Sequence, residues 1–272
     1  MHDPSNRVLL LHTLGGNART WAPVVGAGSD PARFLAVDLP GHGAHGEDPF
    51  DLLTALTSVH AALDECGPAP AHLVGSGLGA LVALRVLADA PHRLASLLLA
   101  GFPPGGDPGR LRATAEALRE KGMAGFAADY LATTLVTGGG PGGGSGSAPG
   151  NDIGLAELTA SMTGMRPEAF LGSLEAALGW ETPVSPGPVP CRVLRGEHDV
   201  RVTEQAARSL ATRLGADYIG LPGAGHIAYV DDPRGFRELM DAFHRVVEAR
   251  TTVPGTVSPG SPAEPVLSQE GT

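Results

Sequence analysis

Five short segments of this sequence carry polar groups beside glycines, each close behind an apolar run. They are LLLHTLGG at residues 9–16, DLPGHG at 38–43, VGSGLGA at 74–80, LRGEHD at 194–199 and PGAGHIAYVDDP at 222–233. Histidine titrates near neutrality and can act as a general base, and glycine turns bring backbone N–H groups close to a ligand. One such chemistry can be set aside. Gly75-Ser76-Gly77-Leu78-Gly79-Ala80 fits the dinucleotide pattern G-x-G-x-x-A, after a strand and opening a helix. That site needs a carboxylate about 20 residues on, at the end of the next strand, and LLLAGF at 97–102 has none. Cys66 and Cys191 are too few for a disulfide framework and read as small buried residues at element edges. No metal site and no cofactor is expected.

The elements that must position these segments alternate between short apolar runs and helical patterns. Runs at 7–11, 33–38, 72–75, 94–100, 191–194 and 217–221 read as strands, and the patterns at 51–65, 78–88, 204–214 and from Pro233 onward read as helices. Continuous apolar strands bounded by glycines indicate an α/β fold: a mostly parallel sheet with helices on both faces. Residues 104–183 interrupt the alternation with helical patterns only, around 111–118, 122–135, 157–165 and 167–178. The expected layout is a core of residues 1–103 and 184–250, a small helical cap at 104–183 containing a flexible Gly-rich loop at 138–150, and a disordered tail at 251–272.

Composition narrows the partners. The chain of 272 residues has 19 basic and 29 acidic side chains, a net charge of −10, which disfavours nucleic acid as a partner. Lys121 is the single lysine, a composition that suggests a GC-rich bacterial genome. No basic-then-apolar leader opens the sequence and no apolar run reaches membrane length, so a soluble cytoplasmic protein without membrane contact is expected.

Four of these motifs, in this order, resemble the α/β-hydrolase superfamily: LLLHTLGG its turn after an early strand, VGSGLGA its nucleophile elbow, LRGEHD its acid segment, and PGAGHIAYVDDP its histidine loop. DLPGHG resembles the family's turn after the next strand, and Asp38, His42 and His45 are expected to shape a loop near the pocket. The resemblance implies that His226 is the base, that Asp199 orients it, and that the N–H groups of Leu14 and Leu78 form an oxyanion hole. His12 is expected to be structural. The sequence departs from the family twice. Gly77 stands where the nucleophilic serine is usual, with Ser76 one position earlier, and Thr13 replaces a usual glycine. Trp21, Ser76, Phe102, Tyr130, Met162, Trp180 and Tyr229 are candidates for the pocket lining.

Without the serine, a base and an oxyanion hole remain. They suit direct acyl transfer from an ester or thioester to an acceptor activated by His226, or hydrolysis when water is that acceptor. The expected partner is a small-molecule acyl substrate, which a carrier protein can present. Proton abstraction in a lyase or cyclase, and ligand binding without catalysis, are the alternatives. The missing side chain is expected to leave an open space at Gly77, so that Gly77→Ser would set a hydroxyl against a ready base.

Overall fold

The computed structural model describes residues 7–28, 30–102, 108–136, 151–179 and 184–251. The expectations for 138–150, for Trp180 and for the tail from 252 on lie outside them. Six strands form one sheet: β1 (Val8–Leu11), β2 (Phe34–Val37), β3 (Ala71–Ser76), β4 (Leu94–Ala100), β5 (Cys191–Gly196) and β6 (Asp217–Leu221). Their order is β2-β1-β3-β4-β5-β6, and all five pairings are parallel. β1 and β3 are wholly buried and β4 nearly so, which is why they are apolar on both faces; the edge strands β2 and β6 are more exposed.

Helices follow the strands and flank the sheet. They are α1 (Ala22–Gly26), α2 (Leu52–Cys66), α3 (Leu78–Asp89), α4 (Pro108–Thr134), α5 (Asn151–Gly164), α6 (Pro167–Leu178), α7 (Glu204–Leu214), α8 (Ala228–Asp231) and α9 (Pro233–Thr251). Their ends are written in the sequence. Asp51 caps α2, its Oδ2 accepting from the Thr54 N–H at 2.8 Å, and Thr203 caps α7 by accepting from the Ala206 N–H at 3.2 Å. Gly215 closes α7 in the left-handed conformation. Between β4 and β5 the described residues hold α4, α5 and α6 and no strand. α4 is broken at Gly122, whose φ of 65° and ψ of 175° are not helical.

The strand order reverses between β1 and β3. From β1 the chain runs outward to β2, then returns past β1 to β3. In open parallel sheets such a reversal leaves a crevice at the carboxyl ends of the strands. The turns after β1 and β3 meet there, the Gly79 N–H donating to the His12 carbonyl at 3.0 Å.

Candidate active site

The turn between β3 and α3 is built by three glycines. A Cβ on Gly75 would stand 2.5 Å from the Gly79 carbonyl oxygen, and one on Gly79 would run into the Leu11 carbonyl. Strand and helix therefore cross too closely for any side chain at either position. Gly77 sits at the top of the turn with φ 52° and ψ −111°. It is held by its N–H, which donates to the Ala100 carbonyl at 2.9 Å. Leu78 opens α3, so its N–H belongs to the helix's first turn and has no carbonyl partner within the helix.

Gly77 borders a cleft, but the position its Cβ would take is occupied, contrary to the sequence expectation. A Cβ at Gly77 would lie 2.5 Å from Thr13 Oγ1. The two departures from the family pattern thus meet: the Thr13 hydroxyl stands where a side chain on Gly77 would begin.

The candidate base, His226, comes from the opposite half of the sheet. β5 ends at Gly196, where a Cβ would strike the Gly225 carbonyl, so the histidine loop can lie directly on the strand end. Three residues on, Asp199 is buried and receives the Arg201 and Val202 N–H groups on Oδ1 at 2.8 and 2.9 Å. His226 Nδ1 lies 3.0 Å from its Oδ2 and 3.1 Å from its Oδ1. An ionised carboxylate only accepts, so Nδ1 carries the proton and Nε2 is left with the lone pair of a base. Burial pushes the Asp199 carboxyl up, but the hydrogen bonds from His226, Val202 and Arg201 outweigh it and hold it below the usual carboxylate range. The His226 N–H donates to the Thr134 carbonyl at 3.0 Å, tying this loop to the end of α4. Gly101, with φ 55°, makes room for this loop: a Cβ there would lie 2.5 Å from the His226 carbonyl oxygen.

Two other histidines brace the turns. His12 Nδ1 donates to the Thr13 carbonyl at 2.8 Å and its Nε2 accepts the Leu39 N–H at 3.0 Å. His42 Nδ1 donates to the Pro40 carbonyl at 3.0 Å and its Nε2 accepts the Gly15 N–H at 3.2 Å. Both ring nitrogens of each are used, so the turns after β1 and β2 are cross-linked through neutral imidazoles. Asp38 joins them, accepting from Ala18 N–H at 2.6 Å and Ala44 N–H at 2.8 Å. His45 stands outside this bracing, exposed and 3.3 Å from Asp48.

His226, Gly77, Leu78, Leu14 and Thr13 line one cleft that is partly open to solvent. Phe102 and Tyr130 line it as the sequence suggested. Arg110 from α4 and Leu174 and Leu178 from α6 were not foreseen there. Four suggested residues lie elsewhere. Trp21 and Tyr229 are fully buried in the core, stacked with ring centroids 3.8 Å apart. Met162 packs under the first turn, where a Cβ on Gly15 would lie 3.2 Å from its Cγ. Ser76 is buried at the end of β3, behind the turn. Aromatic and thioether residues fill a core as readily as a pocket, and their sequence positions do not separate the two. Tyr229 still acts on the site at one remove: its hydroxyl lies 3.0 Å from Thr20 Oγ1 and receives the Thr13 N–H, and burial pushes the phenol up to about 12. Burial likewise raises Cys191 to about 11 and raises Cys66, so neither thiol is primed as a nucleophile. Among the described residues no group of three or more His, Cys, Asp or Glu is placed to hold a metal ion, and no helix is long and apolar enough to cross a membrane.

Comparison with known proteins agrees with this architecture. Pimeloyl-[acyl-carrier protein] methyl ester esterase of Methylococcus capsulatus is 41% identical over 97 residues, 35% of this chain and 37% of that protein. An esterase of Mycobacterium tuberculosis is 40% identical over 101 residues, 36% of this chain and 33% of that protein. A dihydrolipoyllysine-residue acetyltransferase component of the acetoin cleaving system of Pseudomonas putida is 39% identical over 94 residues, 34% of this chain and 25% of that protein. The chain thus spans about a third or less of the length of these curated relatives. Among solved structures, the enol-lactonase from Burkholderia xenovorans superposes with a TM-score of 0.73 at 23% identity, covering 88% of this chain and 91% of that one. A thermophilic esterase from Thermogutta terrifontis gives 0.71 at 18% identity, over 89% and 90%. At such identities these two carry the fold and no more. The sequence pattern of the alpha/beta hydrolase family, however, runs from residue 8 to residue 239, through every strand of the sheet and both halves of the cleft, and the chain belongs to that family.

Proposed function

We propose that this chain acts on an ester or thioester, with His226 and Asp199 activating an acceptor that attacks the acyl carbonyl directly. The observation that carries the reading is the pairing of a His226 imidazole, hydrogen-bonded to a buried Asp199, with a strand-to-helix turn whose apex, Gly77, has no side chain. In this reading His226 Nε2 takes the proton of a bound thiol, hydroxyl, amine or water. The freed lone pair attacks the carbonyl carbon, and the carbonyl oxygen gathers negative charge beside the Leu14 and Leu78 N–H groups. Collapse expels the thiolate or alkoxide, which recovers the proton from His226. The Thr13 hydroxyl borders the attack position and gives the acceptor a second polar contact. The helices of residues 108–178 act as a cap that limits water and favours a bound acceptor over hydrolysis.

Similarity to esterases supports the substrate class, and the methyl ester esterase of M. capsulatus, named for a carrier-protein substrate, supports an acyl group presented on such a carrier. The test is turnover of 4-nitrophenyl butyrate and of a butyryl thioester, with and without added thiol or amine. A general base contributes about 10²- to 10⁴-fold, so His226→Ala should lose that much in kcat/KM. Donor affinity, measured by calorimetry, should hardly change. Full activity in His226→Ala would remove the base from the mechanism and leave a binding protein.

A further inference from the structure

The lining of the cleft is apolar except at a few points, and one of these carries a permanent charge. Among the described residues that line it, Arg110 is the only formal cation, and no carboxylate lines it. Arg110 lies against the Tyr130 hydroxyl, and the guanidinium of Arg201 covers the Tyr130 ring, 4.2 Å from its centroid. Arg201 spends Nε and a terminal nitrogen on Thr134 Oγ1, at 3.2 and 3.0 Å. Thr134 is the residue whose carbonyl holds the His226 N–H. The guanidinium of Arg201 is therefore anchored to the same residue at the end of α4 as the His226 loop.

Several partly buried arginines elsewhere in this molecule meet carboxylates: Arg33 pairs with Glu248 and Asp241, Arg192 with Asp217 and Arg237 with Asp241, whereas Arg195 donates to the Val202, Glu197 and Asp199 backbone carbonyls. Arg110 and Arg201 have no carboxylate partner among the described residues. Two guanidinium groups face one tyrosine in a chain whose net charge is −10. Taking a guanidinium out of water without a counter-ion is unfavourable, and a second cation nearby adds to the cost. Burial and the Arg201 charge both act against the charged form of Arg110. A bound anion relieves both, and the planar fork of arginine suits a two-oxygen acceptor.

We propose that Arg110, with the Tyr130 hydroxyl beside it and Arg201 behind, is an anion subsite that holds a carboxylate or phosphate of the ligand while the acyl carbonyl lies at Gly77 and His226. The assignment of the carbonyl end rests on the proposed acyl chemistry; the anion end does not. Leu81, Leu174 and Leu178 line the same cleft and suit a short hydrocarbon link. The substrate class is an ester or thioester bearing an oxyanion. That oxyanion comes either from the far end of the acyl chain or from the phosphate of a carrier's prosthetic arm.

The experiment uses binding and turnover together. Calorimetry of the whole chain with glutarate, and separately with inorganic phosphate, reads the subsite without chemistry. Mono-(4-nitrophenyl) glutarate against 4-nitrophenyl valerate reads it during turnover. Hydrogen bonds to charged groups contribute enough that the wild type should favour the anionic ester by roughly 10- to 100-fold in KM. Arg110→Met should erase that preference, the KM values of the two esters becoming equal. Arg110→Lys should keep part of it, which separates lost charge from lost packing, and Tyr130→Phe should weaken it to a smaller degree. Preference for glutarate places the anion on the acyl chain; competitive inhibition by phosphate with no glutarate preference places it on the carrier arm. Glutarate or phosphate binding that depends on Arg110 in a protein that turns over neither ester would uphold the subsite and sink the acyl chemistry. Equal affinity of wild type and Arg110→Met for both anions, with equal use of both esters, overturns the subsite.

Discussion

At the scale of the residue, Thr13 and Gly77 behave as one unit. A serine at 77 would place its Cβ 2.5 Å from Thr13 Oγ1, so the threonine must rotate its hydroxyl away before a new side chain fits. The backbone there already has φ 52°, which costs about 1 kcal/mol or more for any residue with a Cβ. Gly77→Ser alone should therefore fold with a melting temperature about 2–6 °C lower and react poorly with a fluorophosphonate. Thr13→Gly combined with Gly77→Ser removes the obstruction and places a hydroxyl at the turn, in the cleft that His226 also lines. Intact-mass spectrometry should find the double variant labelled at Ser much faster than the single variant. Equal labelling of the two would mean that Thr13 does not occupy the attack position. Both departures were visible in the sequence, as a threonine and a glycine out of pattern. Their contact was not, because it depends on how two turns 64 residues apart, at 13 and 77, aim their Cβ directions.

At the scale of the element, the strands were legible because each is a short apolar run stopped by glycine or proline. The sheet then needs little else: β3 is read at 72–75 and found at Ala71–Ser76, and α3 is read at 78–88 and found at Leu78–Asp89. The helices between β4 and β5 were less clear. α5 begins at Asn151, six residues before the expected start at 157, and Gly154 within it looks like a breaker. The structure gives the reason: a Cβ at Gly154 would sit 3.3 Å from Pro23, so glycine there serves close packing of α5 on α1. Arg110 was missed because arginine on a helix normally reads as a solvated face, and only the position of α4 over the cleft changes that. The same region supplies a prediction about how α4 and the histidine loop are joined. Asp231 in α8 is buried and accepts the Gly225 N–H at 2.7 Å and the Val136 N–H at 3.0 Å. It thereby ties the residue before His226 to the chain just past α4. Asp231→Ala leaves two backbone donors in want of a partner, at about 1–3 kcal/mol for the pair or more. Its melting temperature should drop and kcat/KM fall with it, while Asp231→Asn, which keeps one acceptor oxygen, should recover part of both. A loss of stability with unchanged kcat/KM would show that the loop does not need this tie to hold His226.

At the scale of the whole molecule, four buried histidines lead to an expected sensitivity to acid. His12 and His42 brace the turns at the carboxyl ends of β1 and β2, with ring centroids 4.9 Å apart. His72, near the start of β3, stacks on His244 of α9 at 4.0 Å. Burial is the main cause of depression in all four: His42 falls to about 3 and His72 to about 4, while His12 and His244 are lowered as well. The second pair is also surrounded by cations. Arg33 acts on both rings and Arg192 and Arg237 on His244, all against protonation, with Glu248 beside His72 acting in the opposite sense. The sign follows from linkage. In the unfolded chain each imidazole takes a proton near pH 6.5, whereas in the folded chain it does not, so below pH 6.5 the unfolded state binds more protons and stability falls as pH falls. Each histidine that stays neutral contributes a slope of about 1.4 kcal/mol per pH unit, or about 2 kcal/mol by pH 5. Two to four of them together approach the whole stability of an ordinary domain. The Asp199 carboxyl, held below its usual range, adds a loss in the same direction at still lower pH. Thermal melts should therefore show a falling melting temperature from pH 7 to pH 5, with acid unfolding setting in near pH 5. Replacing His72 and His244 together by glutamine removes two of the titrating groups. That variant should start less stable at pH 7, since the stacked pair and the His72 contact to Ser96 Oγ at 2.7 Å are lost, yet decline more slowly with acid. A double variant whose melting temperature declines as steeply as the wild type's would assign the acid response to other groups.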